Sequence, residues 1–328
     1  MTSALATPSP RFEHPAYFYR DQGSYLTTML RFIVGGLVAA EPVMVAVPTR
    51  NLETLRMALG SDAKNIEMYD MTIAGRNPGR IIGDVLLDFV ARHPHRRARI
   101  IGEPIWAGRD VCEYPACAQH EALINVAFEG VDATVMCPYS LAELDAHVVA
   151  DAKRTHPTLW TDTKYCASED FGDVNALVDS FNLPLAPAPI SAQSIEVHPA
   201  NPDETRRFTA SYALAVGLPI DRVADAVLAV DELVSNTIVH GGGYGRLTTW
   251  TDGNRAVFEV ADSGFIADRL AGRRPAEPDQ THGRGLALVH RQSDLVRVYT
   301  RPGATQIRTY FNRPVAGRSS ATVMNQSV

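Results

Sequence analysis

The sequence predicts two domains: an α/β domain built on a mainly parallel sheet, then an α+β domain. In the first half, short β-rich runs alternate with segments of helical periodicity, the pattern of a parallel sheet covered on both faces. Between Trp160 and Ser194 the texture changes, and Phe181 to Pro189 reads FNLPLAPAP, whose three prolines cannot donate to a ladder. Beyond it, helical segments and several strand-like runs predict helices on one side of a mixed or antiparallel sheet. A length of 328 residues fits two domains at ~100–200 residues each.

In the first half, Val43 to Val47 is a β-rich run closed by Pro48, and Asn51 to Leu59 carries apolar residues at helical spacing. The order then repeats: Ile66 to Tyr69 as strand, Pro78 to His93 as helix, Ala98 to Gly102 as strand, Ala118 to Phe128 as helix, Ala133 to Cys137 as strand, and Leu141 to Thr155 as helix. In the second half, Ser194 to Val197 reads as a strand, and a helix follows from Asp203 to Val216 with Pro202 before it and Gly217 after it. Asp221 to His240 is apolar almost all round and predicts a buried helix. Arg246 to Thr251, Ala256 to Ala261, Leu295 to Thr300 and Thr305 to Phe311 read as strands, with Gly285 to Gln292 a helix before the last two.

Composition narrows the function. With 31 basic against 37 acidic side chains and a net charge of −6, the chain lacks the clustered cations of a sequence-independent nucleic-acid grip. No apolar run reaches the ~18 residues of a bilayer span: the longest candidate, Phe32 to Ala40, contains Gly35 and Gly36 and stops at Glu41-Pro42. The start MTSALATPSPRFEHP has neither the basic region nor the apolar core of a secretory signal, so a soluble cytoplasmic protein without membrane or direct nucleic-acid partners is expected. In that compartment Cys112, Cys117, Cys137 and Cys166 are free thiols.

Three pieces of the second half carry chemistry. In Asp231-Glu-Leu-Val-Ser-Asn236, Glu232 and Asn236 are four apart and share one helix face, with Ser235 and His240 close to that stripe. A carboxylate and an amide oxygen so placed suit Mg²⁺, and the carboxylate can accept a hydroxyl proton. Asp262-Ser-Gly264 follows an apolar strand, where the carboxylate can read an exocyclic amine and the glycine admits a flat ring. His282-Gly283-Arg284-Gly285 opens a helix at Leu286, leaving N–H groups and a dipole end for phosphate. Between the last two, Phe265 to Thr281, with Arg269, Arg273 and Arg274, reads as a lid. Each piece alone has an ordinary structural role; their order and spacing carry the argument.

Residues 194 to about 313 resemble the Bergerat-fold (GHKL) ATPases shared by gyrase, the heat-shock chaperone ATPase and histidine kinases, and within that group the anti-sigma-factor serine/threonine kinases. The resemblance implies ATP/ADP and Mg²⁺ as cofactors, Glu232 as the base that prepares a partner's serine, and Asn236 as the magnesium ligand. It also implies Asp262 as the adenine reader with Gly264 beside it, Gly283, Arg284, Gly285 and Leu286 at the phosphates, and Thr305 closing the site. Phe265-Ile266 stand where the family carries a second glycine, which bears on lid motion and turnover more than on binding. The implied partners are an alternative sigma factor and an anti-anti-sigma antagonist of the STAS type, with a homodimer left open. Between the linker and Glu232 there is room for a strand and one helix, not for the helical hairpin of a sensor histidine kinase.

Residues from about His14 to Pro157 resemble the MEDS sensory domain, a RecA-like α/β module. That resemblance rests on His14-Pro-Ala-Tyr-Phe-Tyr, Gly35-Gly36, Trp106 with Gly108-Arg109, and Glu121-Ala-Leu-Ile-Asn125. No Gly-x-x-x-x-Gly-Lys-Ser/Thr is present, so this half lacks a P-loop. Cys112, Cys117 and His120 form a Cys-x4-Cys-x2-His cluster that reads first as ordinary buried thiols; the alternative is a metal site, with Cys137 a candidate fourth ligand, or a redox-responsive thiol pair. The aromatic stretch Tyr17, Phe18, Tyr19 and Tyr25 is assigned to the core rather than to an apolar ligand pocket. The expected boundaries are 13–158 for the sensory domain, 159–192 for the linker, 193–314 for the ATPase domain and 315–328 for a disordered tail.

Overall fold

The computed structural model describes residues 11–161, 164–274 and 284–314. The chain divides into two compact units, Met1–Leu183 with Ala267–Ala287, and Pro184–Ile266 with Leu288–Val328.

The first unit is an α/β layer structure. Its strands are β1 (Phe12–Glu13), β2 (Pro15–Tyr19), β3 (Val43–Val47), β4 (Glu67–Asp70), β5 (Ala98–Gly102), β6 (Ala133–Ser140), β7 (Thr158–Trp160) and β8 (Tyr165–Ala167). They form one sheet in the order β4-β3-β5-β6-β2-β7-β8, with β1 also on β6. Every pair is parallel except β7 with β8. Why the strands read as unbroken apolar runs is visible in their packing: alternate residues enter separate cores on the two faces. Ala16, Phe18, Met44, Ala46, Ile100, Val135 and Cys137 join one core. Tyr17, Tyr19, Val43, Val45, Val47, Ile101 and Met136 join the other.

The helices of this unit are α1 (Gln22–Val38), α2 (Thr49–Leu59), α3 (Tyr114–Ala127), α4 (Ala146–Thr155) and α5 (Val174–Ser180). Periodicity missed α1, because Gly35 and Gly36 interrupt its apolar stripe. The helix is set by an Asp21 capping box, and Gly36 lets it lie close to Val43 and Arg99. The helix expected over 78–93 forms as Pro78–Arg80, a π turn over Ile81–Leu87, and Asp88–Ala91. The aromatic stretch is core: Tyr17, Phe18, Tyr19 and Tyr25 are all buried. Strand β8 and helix α5 lie inside the stretch read as linker, where Leu177 and Val178 are buried in the first core. The segment from Ala267 joins the same unit: Leu270 enters that core, Arg269 forms a two-pronged ion pair with Asp179 (3.0 and 2.7 Å), and Arg273 donates to Gln119 (3.1 Å). This is the described part of the stretch read as a lid; residues 275–283 lie outside the described residues, as does the tail 315–328.

The second unit is α+β. Strands β9 (Gln193–Val197), β10 (Gly245–Asp252), β11 (Arg255–Asp262), β12 (Leu295–Arg301) and β13 (Ala304–Asn312) form a sheet in the order β12-β13-β11-β10-β9. All of its pairs are antiparallel. Helices α6 (Pro202–Ala215) and α7 (Ile220–His240) are tied by Arg206, which grips Asp231 at 2.7 and 3.1 Å. Tyr212 on α6 meets Phe258 edge-on, and Phe258 meets Phe311 likewise, so both aromatics knit this helix to the sheet. The proline-rich segment is engaged too, since the carbonyl of Ala186 accepts from Arg308 (2.6 Å), which also pairs with Glu259 and lies over the Trp250 ring.

One expectation needs correction. Helix α7 is not buried all round: Ile220, Leu228 and Val239 are exposed, and the buried positions form a single stripe of Val223, Ala226, Ala229, Val230, Leu233, Val234 and Thr237. A helix flanking one face of a sheet needs only that stripe, which frees its other face for polar work.

Candidate functional site

The antiparallel registers line up Val197, Gly245, Asp262, Thr305 and Thr300 as one row across all five strands. Over this row sits the carboxyl end of α7. Asp262 joins the two: its Oδ2 accepts from the Thr237 hydroxyl (2.7 Å) and its Oδ1 from the Gly264 amide (2.8 Å). The Thr305 hydroxyl donates to the Gly264 carbonyl (3.1 Å) and lies 2.8 Å from the Thr300 hydroxyl. Ser263 donates to the carbonyl of Gly241 (3.0 Å), which closes the circuit.

Such close approach requires glycine. A Cβ on Gly241 would stand 2.5 Å from Asp262 Cγ and 2.8 Å from the Thr237 Cα, and one on Gly245 would stand 2.7 Å from the Ala261 carbonyl and 2.7 Å from the Thr237 Cγ2. Thr305, expected apart from the Asp262-Ser-Gly264 motif, is brought together with it. Glu232 and Asn236 are half-buried one turn apart on α7, whereas Ser235 and His240 are exposed. Arg284, Gly285 and Leu286 form the first turn of α8 (Arg284–Gln292), while Gly283 lies outside the described residues.

Thr237 escaped the sequence reading, which attended to the polar residues of the exposed face. Its signal was its position: it is the one polar residue on the apolar stripe of α7, and a buried hydroxyl there needs a partner.

The second unit is thus a five-stranded antiparallel sheet with flanking helices, whose strand ends hold an aspartate beneath a helix bearing an acid and a carboxamide. Residues 195–311 match the model of the histidine kinase-like ATPase domain, and residues 13–157 match that of MEDS, the MEthanogen/methylotroph, DcmR Sensory domain. The chain thus carries a MEDS domain followed by a GHKL-type ATPase domain. No curated protein matches it.

Among solved structures, the RsbU and RsbW domains of Rv1364c from Mycobacterium tuberculosis are 19% identical over 39% of this chain and 34% of that one, with a TM-score of 0.30. The chain therefore spans about a third of that protein's length. The histidine kinase domain of the E. coli osmosensor EnvZ is 20% identical over 43% of this chain and 99% of that one, with a TM-score of 0.24. Acinetobacter baumannii histidine kinase AdeS is 12% identical over 42% and 72%, with a TM-score of 0.23. Among the described residues no helix is long and apolar enough to cross a membrane.

The residues present fit an adenine nucleotide. The acid of Asp262 has its geometry fixed by two donors, and glycine at 241, 245 and 264 lets the neighbouring backbone close tightly around it. Asn236 and Glu232 supply oxygen donors of the kind that Mg²⁺ takes.

The first unit has its own feature at the carboxyl ends of its parallel strands, where ligands of open α/β sheets bind. A cavity of about 150 Å³ there is lined by residues including Tyr19, Asn51, Glu103, Trp106, Ser140 and Glu143. Glu103 is buried, and desolvation pushes its carboxyl up to about 8 despite donors from Asn51 (3.0 and 2.9 Å) and Tyr25 (3.3 Å); the charge of Glu143 adds to the rise. Cys112, Cys117 and His120, the trio of the alternative metal reading, form no metal-ligating group among the described residues: Cys112 is half-exposed ahead of α3, while Cys117 and His120 are buried on it.

Proposed function

We propose that this protein is an anti-sigma factor whose ATPase domain phosphorylates a serine or threonine of a STAS-type anti-anti-sigma antagonist, and so governs an alternative sigma factor in response to an input at the MEDS domain. The observation that carries this reading is the placement of the half-buried Glu232 and Asn236 one turn apart on α7, above the Asp262 row, with only β9 and α6 between the proline-rich segment and that helix. A histidine kinase needs a helical hairpin bearing its acceptor in that interval. When bound, Mg²⁺-ATP supplies the phosphoryl group and part of the charge compensation. The chain's residues do the rest. Asp262 accepts from the base's amine, Asn236 offers its amide oxygen to the cation, and Glu232 accepts the proton of the partner's hydroxyl.

Incubation of the full chain with labelled ATP, Mg²⁺ and candidate antagonist tests this. Acid-stable label on an antagonist serine or threonine is the expected result. Nucleotide-dependent sigma binding without transfer identifies a non-catalytic regulator, and acid-labile label on the chain itself identifies a histidine kinase; either outcome overturns the proposal. Asn236→Ala is expected to weaken Mg²⁺-ATP binding by at least about tenfold in calorimetry, the scale for a lost metal-site partner. Wild-type affinity would remove Asn236 from the site.

A further inference from the structure

Four side chains from four separate segments of the first unit converge, of which the sequence pointed only to Cys137 as a candidate metal ligand. They are His14 between β1 and β2, Glu121 on α3, Cys137 on β6, and His156 directly after α4. All are buried, with exposures of 0–1%. His14 Nε2 and His156 Nε2 each lie 3.3 Å from Glu121 Oε2, and Cys137 Sγ lies 3.5 Å from His14 Nε2. One candidate ligand atom from each of the four falls within 4.8 Å of all the others.

These separations have a specific meaning. The edge of a tetrahedron is about 1.6 times its centre-to-vertex distance, so zinc bonds of ~2.0–2.1 Å to nitrogen or oxygen and ~2.3 Å to sulfur place ligand atoms ~3.3–3.6 Å apart. The imidazoles are oriented for the task. Asn125 donates its amide hydrogens to the backbone, notably the Thr155 carbonyl (2.8 Å), which leaves its Oδ1 to accept from His14 Nδ1 at 3.1 Å. His156 Nδ1 is 2.8 Å from the Ala152 carbonyl. Both rings thus commit Nδ1–H outward and turn the Nε2 lone pair inward, the arrangement of ligating histidines.

Meanwhile neither oxygen of Glu121 has a properly aligned hydrogen-bond donor, although the residue is fully buried. A buried carboxylate without donors is costly, and its ion-pair partners are these same two imidazoles.

We infer that His14, Glu121, Cys137 and His156 form a closed tetrahedral site for one divalent cation of the zinc type within the MEDS domain. Two anionic donors balance the charge of the ion, so the filled site is neutral in its buried surroundings. With no position left for water it is structural in kind, pinning the entry to β2, helix α3, strand β6 and the end of α4 to one point. It is independent of the kinase reading.

The test is expression of the full chain in minimal medium supplemented with Co²⁺, followed by metal analysis and absorption spectroscopy. About one Co²⁺ per chain is expected, with intense tetrahedral d–d bands and a thiolate-to-cobalt charge-transfer band. Cys137→Ser should lose the charge-transfer band, and Cys112→Ser and Cys166→Ser should keep it. A folded wild-type chain without stoichiometric Co²⁺ or Zn²⁺, or a charge-transfer band that survives in Cys137→Ser, overturns the site. Should Cys137→Ser fail to fold, X-ray absorption of the wild-type cobalt chain decides: one sulfur with two imidazoles supports the site, and a shell lacking sulfur overturns it.

Discussion

Gly241→Ala is expected to weaken adenine-nucleotide binding roughly 10- to 150-fold, the range for disturbing a hydrogen bond to a charged group, and to destabilise the second unit by about 1–3 kcal/mol. The cause is steric, because Gly241 has φ −92°, which alanine adopts freely. The new methyl would sit 2.5 Å from Asp262 Cγ and 2.6 Å from its Oδ2. The Thr237 Cα behind it is backbone and cannot yield, so Asp262 must move, and its bonds to Thr237 and Gly264 go with it. Calorimetric titration with ATP, alongside urea unfolding of both proteins, reads the two effects separately. Unchanged affinity in a folded variant would mean that Asp262 does not read the base.

Glu103→Gln is expected to change how the first unit responds to pH. Burial raises the Glu103 carboxyl to about 8, against an ordinary value of 4.5, so between those values the folded chain holds a proton that the unfolded chain has lost. Stability therefore falls as pH rises through that window, at up to roughly 1.4 kcal/mol per unit, and this group adds no slope below it, where both states are protonated. Glutamine keeps the shape and an acceptor for Asn51 and Tyr25 but cannot ionise. The variant should gain on the wild type steadily from pH 5 to pH 8 in urea unfolding; parallel curves would show that Glu103 is charged in the folded protein. The same proton makes the cavity beside Asn51 and Glu143 sensitive to pH within the neutral range.

How far the site could be read in advance differed from element to element. The positions of Glu232 and Asn236 one turn apart on a helix were legible because helical spacing is a local property, and that of Asp262-Ser-Gly264 at a strand end because it follows an apolar strand. Thr237 was not, since its role depends on a carboxylate 25 positions away that only the sheet brings near. The Cys-x4-Cys-x2-His cluster drew attention through proximity along the chain, yet the helix turns Glu121, one residue beyond His120, toward Cys137. Helix α5 went unread inside the linker because a seven-residue helix carries too little periodicity to register.

The alternation of strands and helices from Val43 to Thr155, the five strands of the second unit and the helical spacing of Glu232 and Asn236 followed from the sequence itself, because alternation and short-range spacing are written residue by residue. Tertiary structure alone decided that Val197, Gly245, Asp262, Thr305 and Thr300 stand in one row, that the segment after Ala267 belongs with the first unit, and that His14, Glu121, Cys137 and His156 meet. The physical reason is that register and burial are set by packing between distant segments, whose free energy no local pattern contains.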